Sequence, residues 1–449
     1  MRFRFTPLAA LALALLSAFS ARADEAKVKI TLVPDKATGI YELNEKVTWT
    51  VDVVGDRAGL TALPYAVKQD AATVVGSGTL DLTAGPATIS GTRAEAGALL
   101  VEVMSMDKGK LLPIAMGGAV FAPEKLAAAL PAPADFDAFW QEKLRELAEV
   151  PPNPKLEPMS LEGVKGAEGM EAFKLTTDNI RGTHMEALLA KPAKEQKYPA
   201  LLIFNSAGVS ALDKGSVLAY AKPGWIVLNV NAHDLPIDEA PEFYKKMKET
   251  ELKDYLSIGN ESRESCYFLR MFLGCVRGID YVASMPEWDG KTLIITGVSQ
   301  GGMQSFAAAA LSPKVTAMVI DVPSGCDVYG PLATPPRAAG WPPWISKYNP
   351  QGKDLAKIKE TAGYFDGIYF AERIHCPTII GVALLDIAAR PSGAIAAFNA
   401  IPAPTPKQLI VMPLADHYGT GGTQGDFFYT FAHLREAIQK GAAWSLPYH

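Results

Sequence analysis

The stretch Leu293-Ile294-Ile295-Thr296-Gly297-Val298-Ser299-Gln300-Gly301-Gly302-Met303 decides the fold. An apolar strand-like run ends near Ile295, a serine flanked by glycines follows, and the small and apolar residues Met303–Leu311 read as a helix. A strand that turns this sharply into a helix needs glycine, because side chains there would strike the neighbouring strand and helix. The turn would expose the Ser299 hydroxyl at the carboxyl edge of a sheet, where ligands bind in open α/β folds. A helix starting just beyond it aims backbone N–H groups at any oxyanion formed there. The plain alternative is an ordinary glycine-rich turn; the strand before and the helix after favour a nucleophile.

Outward from this elbow, continuous apolar runs alternate with helical segments. The runs are Ala200–Phe204, Ile226–Val230, Leu293–Ile295, Met318–Ile320, Thr378–Ile380 and Leu409–Met412. Unbroken apolarity is what strands covered on both faces require, so a mostly parallel sheet flanked by helices is expected: an α/β fold of the hydrolase type. Helices are expected over 262–284, 302–311, 391–400 and 426–440. Glu171–Leu175 and His184–Leu189 read as an antiparallel hairpin opening the sheet. Further upstream, Phe136, Phe139, Trp140, Leu144 and Leu147 fall at helical spacing between Pro131, Pro133 and Pro151-Pro152, giving an amphipathic entry helix. From Val28 to about Phe121, short alternating segments such as Val47–Val53 are separated by turn residues, which predicts a small immunoglobulin-like all-β sandwich. A chain of 449 residues also exceeds what one core usually supports. The expected organisation is a leader over 1–23, a β domain over 24–122, a connector with the entry helix over 123–160 and a catalytic domain over 161–449.

The leader is read from a basic start (Arg2, Arg4), an apolar-and-small run from Leu8 to Phe19 and the small-x-small site Ala21-Arg22-Ala23. The run is shorter than the roughly 20 apolar residues needed to cross a bilayer. Export with cleavage is therefore expected, to the periplasm or outside the cell, with no membrane attachment of the mature chain. Cleavage removes three arginines and no acids, which moves the formal net charge from −5 to −8. Without clustered Lys and Arg, nucleic acid is not an expected partner. Cys266, Cys275, Cys326 and Cys376 match no zinc spacing. On one helix, Cys266 and Cys275 would stand about 13 Å apart along the axis, too far to bridge. Other pairings and free buried thiols both remain open at this level.

A serine hydroxyl needs an imidazole to take its proton and a carboxylate to hold that imidazole in the right tautomer. In the chain order nucleophile, acid, histidine, the candidates after Ser299 are His375, His417, His433 and His449. His417 follows the strand Leu409–Met412 and so lies at the carboxyl edge of the sheet. His375 precedes its strand, His433 falls within a helix and His449 is the terminus. Asp386 follows the strand beginning at Thr378 and is the expected acid; Asp321 and Asp327, after the preceding strand, are the alternatives. Asp416 adjoins His417, and adjacent side chains rarely hold the needed geometry. The expected oxyanion donors are the amides of Gln300 and Ala207, the latter in the loop Asn205-Ser206-Ala207-Gly208, with Gly208 as its alternative. Ser206 has no elbow around it and reads as a turn residue.

These residues, taken as an ordered set, resemble the acetyl xylan esterase and cephalosporin C deacetylase family of carbohydrate esterases, within the α/β-hydrolase superfamily. The resemblance rests on Phe136-Asp137-Ala138-Phe139-Trp140, Arg277-Gly278-Ile279-Asp280-Tyr281, Pro286-Glu287-Trp288-Asp289, the elbow with Gln300, Asp321-Val322-Pro323, Ile374-His375-Cys376-Pro377 and Leu384-Leu385-Asp386. It spans roughly residues 130–440. It implies the triad Ser299, Asp386 and His417, hydrolysis of small acyl esters on sugars such as acetylated xylan, and no metal or other cofactor. The family's usual His-Gly-Tyr is replaced by Asn205-Ser206-Ala207, and Pro323-Ser324-Gly325-Cys326 departs from a more apolar run. The β-rich N-terminal region is an addition to the family's compact core, so the family's ring-shaped hexamer is not carried over. Two other readings stand beside it: an exported serine peptidase of the prolyl-oligopeptidase type, and a non-catalytic carbohydrate-binding protein on a hydrolase fold.

Overall fold

Residues 28–55, 61–83, 85–107, 109–346, 352–419 and 424–440 are described by a computed structural model of the chain; the expected leader over 1–23 lies outside them. The N-terminal region forms two sheets. Strands β1 (Val28–Pro34), β3 (Lys46–Gly55) and β6 (Ala87–Thr92) pair in the order β1-β3-β6. Strands β2 (Ile40–Tyr41), β4 (Ala62–Gln69), β5 (Thr73–Asp81), β7 (Gly97–Asp107) and β8 (Lys110–Phe121) pair in the order β2-β8-β7-β4-β5. Alternation along β3 turns Val47, Trp49, Val51 and Val53 inward. There they meet Leu32, Val67, Leu99, Val101 and Phe121 in one apolar core between the sheets. Trp49, fully buried, satisfies its indole N–H on the Gly118 carbonyl at 3.1 Å.

The entry helix α1 (Phe136–Glu149) buries Phe136, Phe139, Trp140 and Leu147, the face its spacing marked out. A nine-stranded sheet follows, in the order β17-β16-β15-β14-β12-β13-β11-β10-β9. Strands β12 (Tyr198–Phe204), β13 (Ile226–Val230), β14 (Trp288–Val298), β15 (Ala317–Asp321), β16 (Thr378–Ala383) and β17 (Lys407–Met412) run parallel. β10 (Met170–Asp178) and β11 (His184–Pro192) form the expected antiparallel hairpin. Side chains alternate between the faces: Leu202, Ile295 and Ile320 enter one apolar layer, Leu201, Ile294 and Val319 the other. The first layer is closed by α1 and by helices α4 (Tyr267–Ser284), α5 (Gln300–Leu311) and α8 (Pro391–Ala400). The second is closed by α2 (Lys214–Ala221) and α9 (Gln424–Gln439).

Several boundaries differ from the sequence reading. The helix expected from 262 begins at Tyr267. Gly259, at φ 66°, turns the chain so tightly that a Cβ there would stand 1.9 Å from the Ser265 carbonyl, and the Ser265 hydroxyl bonds back to the Gly259 carbonyl at 3.1 Å. The elbow helix starts two residues earlier than expected, at Gln300. The connector also carries an edge strand, β9 (Lys155–Pro158), paired to β10. It is exposed throughout and so bears no apolar pattern to read. All four cysteines are free thiols, Cys266 and Cys275 buried.

Chain order places the loops after β12 and β14 at the point where the connections change direction, β13 lying to one side of β12 and β14 to the other. The register carries Phe204 opposite Gly297, Val298 opposite Asp321 and Ala383 opposite Met412, so five strand ends open onto one edge. The sandwich docks at the same edge. Gly118 of β8 lies so close to the chain after β16 that a Cβ on it would stand 2.7 Å from the Leu384 Cβ.

Candidate active site

Ser299 sits at φ 59°, ψ −119°, a conformation few side-chain-bearing residues adopt. Its amide is held by the Asp321 carbonyl at 3.1 Å, and its carbonyl receives the amides of Gly302 and Ser324 at 2.9 and 3.0 Å. The flanking glycines are steric necessities. A Cβ on Gly297 would stand 2.3 Å from the Gly301 carbonyl group, and one on Gly301 would stand 2.1 Å from the Phe204 carbonyl oxygen. The turn is therefore wedged between the helix it starts and the neighbouring strand β12.

Two further strand ends deliver their side chains to this serine. His417, in the loop after β17, has Nε2 2.9 Å from Ser299 Oγ and Nδ1 2.7 Å from Asp386 Oδ2. Asp386, in the loop after β16, is buried and fixed from its other oxygen, which accepts the amides of Ala388 and Ala389 at 2.8 and 2.7 Å. A carboxylate only accepts, so Nδ1 carries the imidazole proton and Nε2 is left as the acceptor for the Ser299 hydroxyl. Burial pulls the His417 pKa down, but the hydrogen bond and charge of Asp386, with Asp321 and Asp416 adding, hold it above its usual 6.5. A hydroxyl, an imidazole and a carboxylate so connected form a relay able to take the serine proton.

The alternative acids occupy other places. Asp327 pairs with Arg337 at 2.6 Å and accepts the Ala129 amide at 3.0 Å. Asp321 is buried with no hydrogen-bond partner on either carboxylate oxygen. Burial, then the nearby Asp386 charge, pushes its carboxyl up to about 7. His375 precedes β16 at the far edge, and His433 lies inside α9.

Gln300 is the first residue of α5, so its amide belongs to the helix-start N–H groups that have no intrahelical acceptor. Ala207 lies in the exposed loop after β12. That loop is tied to the elbow by Ser206, whose hydroxyl donates to the Val298 carbonyl at 3.1 Å, a turn role. Three residues near the site had no functional reading in the sequence. Ser324 places its buried hydroxyl 3.1 Å from Ser299 Oγ. His233 bonds the Gly208 carbonyl at 2.9 Å, and Tyr255 bonds the Gln300 side chain at 2.5 Å. The only signal was local: Ser324 lies in the stretch after Pro323 where the chain departs from the pattern of the family it resembles, and His233 follows a strand end.

The acetyl xylan esterase family model matches residues 124–434. The acetyl esterase Axe7A of Xylanibacter ruminicola is 30% identical over 400 residues, covering 87% of each chain. Among solved structures, an acetyl xylan esterase from Paenibacillus sp. R4 superposes with a TM-score of 0.58 at 21% identity, covering 72% of this chain and 98% of that one. Acetyl xylan esterase 1 from Thermoanaerobacterium sp. JW/SL YS485 gives 0.58 at 24% identity, covering 71% and 96%. The two structures share the α/β-hydrolase fold described above. With most of its length matched by the family model and nearly all of it aligned to a curated relative, the chain belongs to the acetyl xylan esterase family and is a carboxylic ester hydrolase.

Proposed function

We propose that this chain removes acetyl or other small acyl groups from sugars, such as acetylated xylan or xylo-oligosaccharides, through an acyl-enzyme on Ser299. The observation that carries the reading is the relay from Ser299 Oγ through His417 to Asp386, at 2.9 and 2.7 Å, built from three separate strand ends. Ser299 Oγ bonds to the ester carbonyl carbon as His417 Nε2 takes its proton. The oxyanion is received by the Gln300 and Ala207 amides, and the sugar hydroxyl leaves with the proton from His417. Water, deprotonated by the same imidazole, then releases acetate and restores Ser299. Asp386 keeps the imidazole in its reactive tautomer and offsets the charge it gains. The sugar and acyl preference is supported by family membership and by the similarity to an acetyl esterase. Residues 1–23 support export of the mature enzyme.

No observation favours the peptidase alternative. The described strands before residue 122 form one three-stranded and one five-stranded sheet, not a ring of repeated blades. The test is acetate release from acetylated xylan and from 4-nitrophenyl acetate, comparing the native chain with Ser299→Ala. Loss of both activities in the variant is expected. Activity of Ser299→Ala at the native level would remove the acyl-enzyme reading.

A further inference from the structure

The two proposed oxyanion donors come from separate segments, and only one of them is held by regular structure. Gln300 opens α5, whereas Ala207 sits in a loop exposed from 206 to 208. Such a loop has little packing to fix it, yet an oxyanion hole works only when both donors stand within about 2.7–3.1 Å of one oxygen.

Beneath this loop lies a buried cluster that the reaction does not use. His233, 2% exposed in the turn after β13, has one ring nitrogen 2.9 Å from the Gly208 carbonyl and the other 2.8 Å from the Tyr267 hydroxyl. A carbonyl can only accept, so Nε2 carries the proton and Nδ1 accepts from Tyr267. Burial pushes the His233 pKa down to about 4, so this tautomer persists at neutral pH. The ring of Tyr255 stands edge-on to His233, centroids 4.7 Å apart at 81°. The Tyr255 hydroxyl donates to Gln300 Oε1, and Gln300 in turn donates to Gln304 at 3.3 Å. Gln304 ends the chain on Cys275 of α4, again at 3.3 Å. The side chains are buried, so the bonds among them are shielded from competing water, while the Gly208 carbonyl that His233 holds belongs to the exposed loop.

We propose that His233 and Tyr255 act as a positioning clamp that fixes the Ala207 amide relative to the Gln300 amide. The inference rests on the acyl-enzyme reading above. His233 grips the Gly208 carbonyl, one residue beyond Ala207, Tyr255 grips the residue that carries the second amide, and the two rings pack on each other. Neither touches the reacting atoms.

The test uses the full chain with Tyr255→Phe, which keeps the ring and removes the hydroxyl, and with the pair His233→Leu and His233→Gln. A glutamine amide is able to donate to the Gly208 carbonyl; leucine is not. Turnover of 4-nitrophenyl acetate is measured beside inhibition by ethylboronic acid, whose adduct on a serine presents a tetrahedral oxyanion. Misplacing an oxyanion donor is expected to lower kcat by about tenfold to a hundredfold in Tyr255→Phe and His233→Leu. KM should stay within about twofold, and the boronate inhibition constant should rise in parallel with the fall in kcat/KM. His233→Gln should recover most of the loss. A purely structural role would lower the amount of folded enzyme without moving the ratio of boronate to substrate affinity. If Tyr255→Phe failed to fold, the two His233 variants would decide alone. Native kcat and boronate affinity in Tyr255→Phe or His233→Leu, with Ser299→Ala inactive, would overturn the clamp and leave the acyl-enzyme intact. An active Ser299→Ala would instead overturn the reading beneath it.

Discussion

Asp70 of the sandwich accepts a hydrogen bond from Ser392 at 2.5 Å, and Ser392 lies in the first turn of α8, the helix that follows Asp386. The same oxygen takes the Ala98 amide at 2.8 Å, the other stands 2.5 Å from Arg93, and the Asp70 carbonyl receives the Ala338 amide at 3.0 Å. Arg93 also donates to the carbonyls of Glu95, Ala96 and Ala98. One carboxylate thus closes a buried ion pair and joins the added domain to the segment that carries the acid.

Removing that carboxylate should be costly. Both side chains of the Asp70–Arg93 pair are only 2% exposed, and Asp70→Ala would leave a guanidinium buried without its counter-charge. A loss of about 3–5 kcal/mol is expected from stranding one member of such a pair. Urea unfolding of the two proteins checks it, and a loss below about 1 kcal/mol would mean that the pair is not closed in solution.

The pH dependence follows from His417. It must be neutral to accept the Ser299 proton, so kcat/KM should rise with pH as the imidazole loses its own proton. Asp386 and its acidic neighbours outweigh burial and raise the His417 pKa above 6.5, which keeps the protonated, inactive form present to a higher pH. The acid limb should therefore reach half its maximum above 6.5. A rate profile on 4-nitrophenyl acetate with its midpoint below 6, or with no acid limb, would contradict this placement of His417.

Asp386→Asn should preserve the shape of the site and lose its chemistry. The asparagine carbonyl is able to keep the Ala388 and Ala389 amides that Asp386 now accepts. Its amide would then face Nδ1 and force the imidazole proton onto Nε2, which can no longer accept from Ser299. By analogy with a triad aspartate so replaced, kcat should fall by about 10⁴. A fall of less than tenfold in steady-state assays would point to another acid.

Much of this arrangement was legible in the sequence because it depends on local pattern. Strands covered on both faces write themselves as unbroken apolar runs, and the Gly297–Gly301 spacing reflects contacts that admit no Cβ. His417 and Asp386 were found because each follows a strand in a parallel sheet, where all such loops share one edge. What escaped has no such period. β9 is exposed at every position, the turns of 262–266 depend on a single glycine at 259, and His233, Tyr255 and Ser324 meet their partners only through the fold. Asp70 lies 322 residues from Ser392, and nothing in either neighbourhood announces the contact.

Asp321 offers the last prediction, a conflict between stability and pH. Its side chain is buried against Gly381, where a Cβ would stand 2.3 Å from Oδ1, and neither oxygen has a hydrogen-bond partner. Burial first, and then the Asp386 charge, moves its pKa from 3.8 up to about 7. Well below pH 4 the carboxyl is protonated in both folded and unfolded chains and has no effect on their balance. Between about 4 and 7 the unfolded chain ionises freely while the folded one holds its proton, so stability is lost as pH rises through that window. Asp321→Asn is neutral and similar in shape, so it should escape this penalty. The variant should melt close to the native protein near pH 4 and above it at pH 8, by on the order of 4 kcal/mol in stability. Thermal melts across this range decide the matter: a difference that does not grow with pH would show that Asp321 ionises as easily in the folded chain as in the unfolded one.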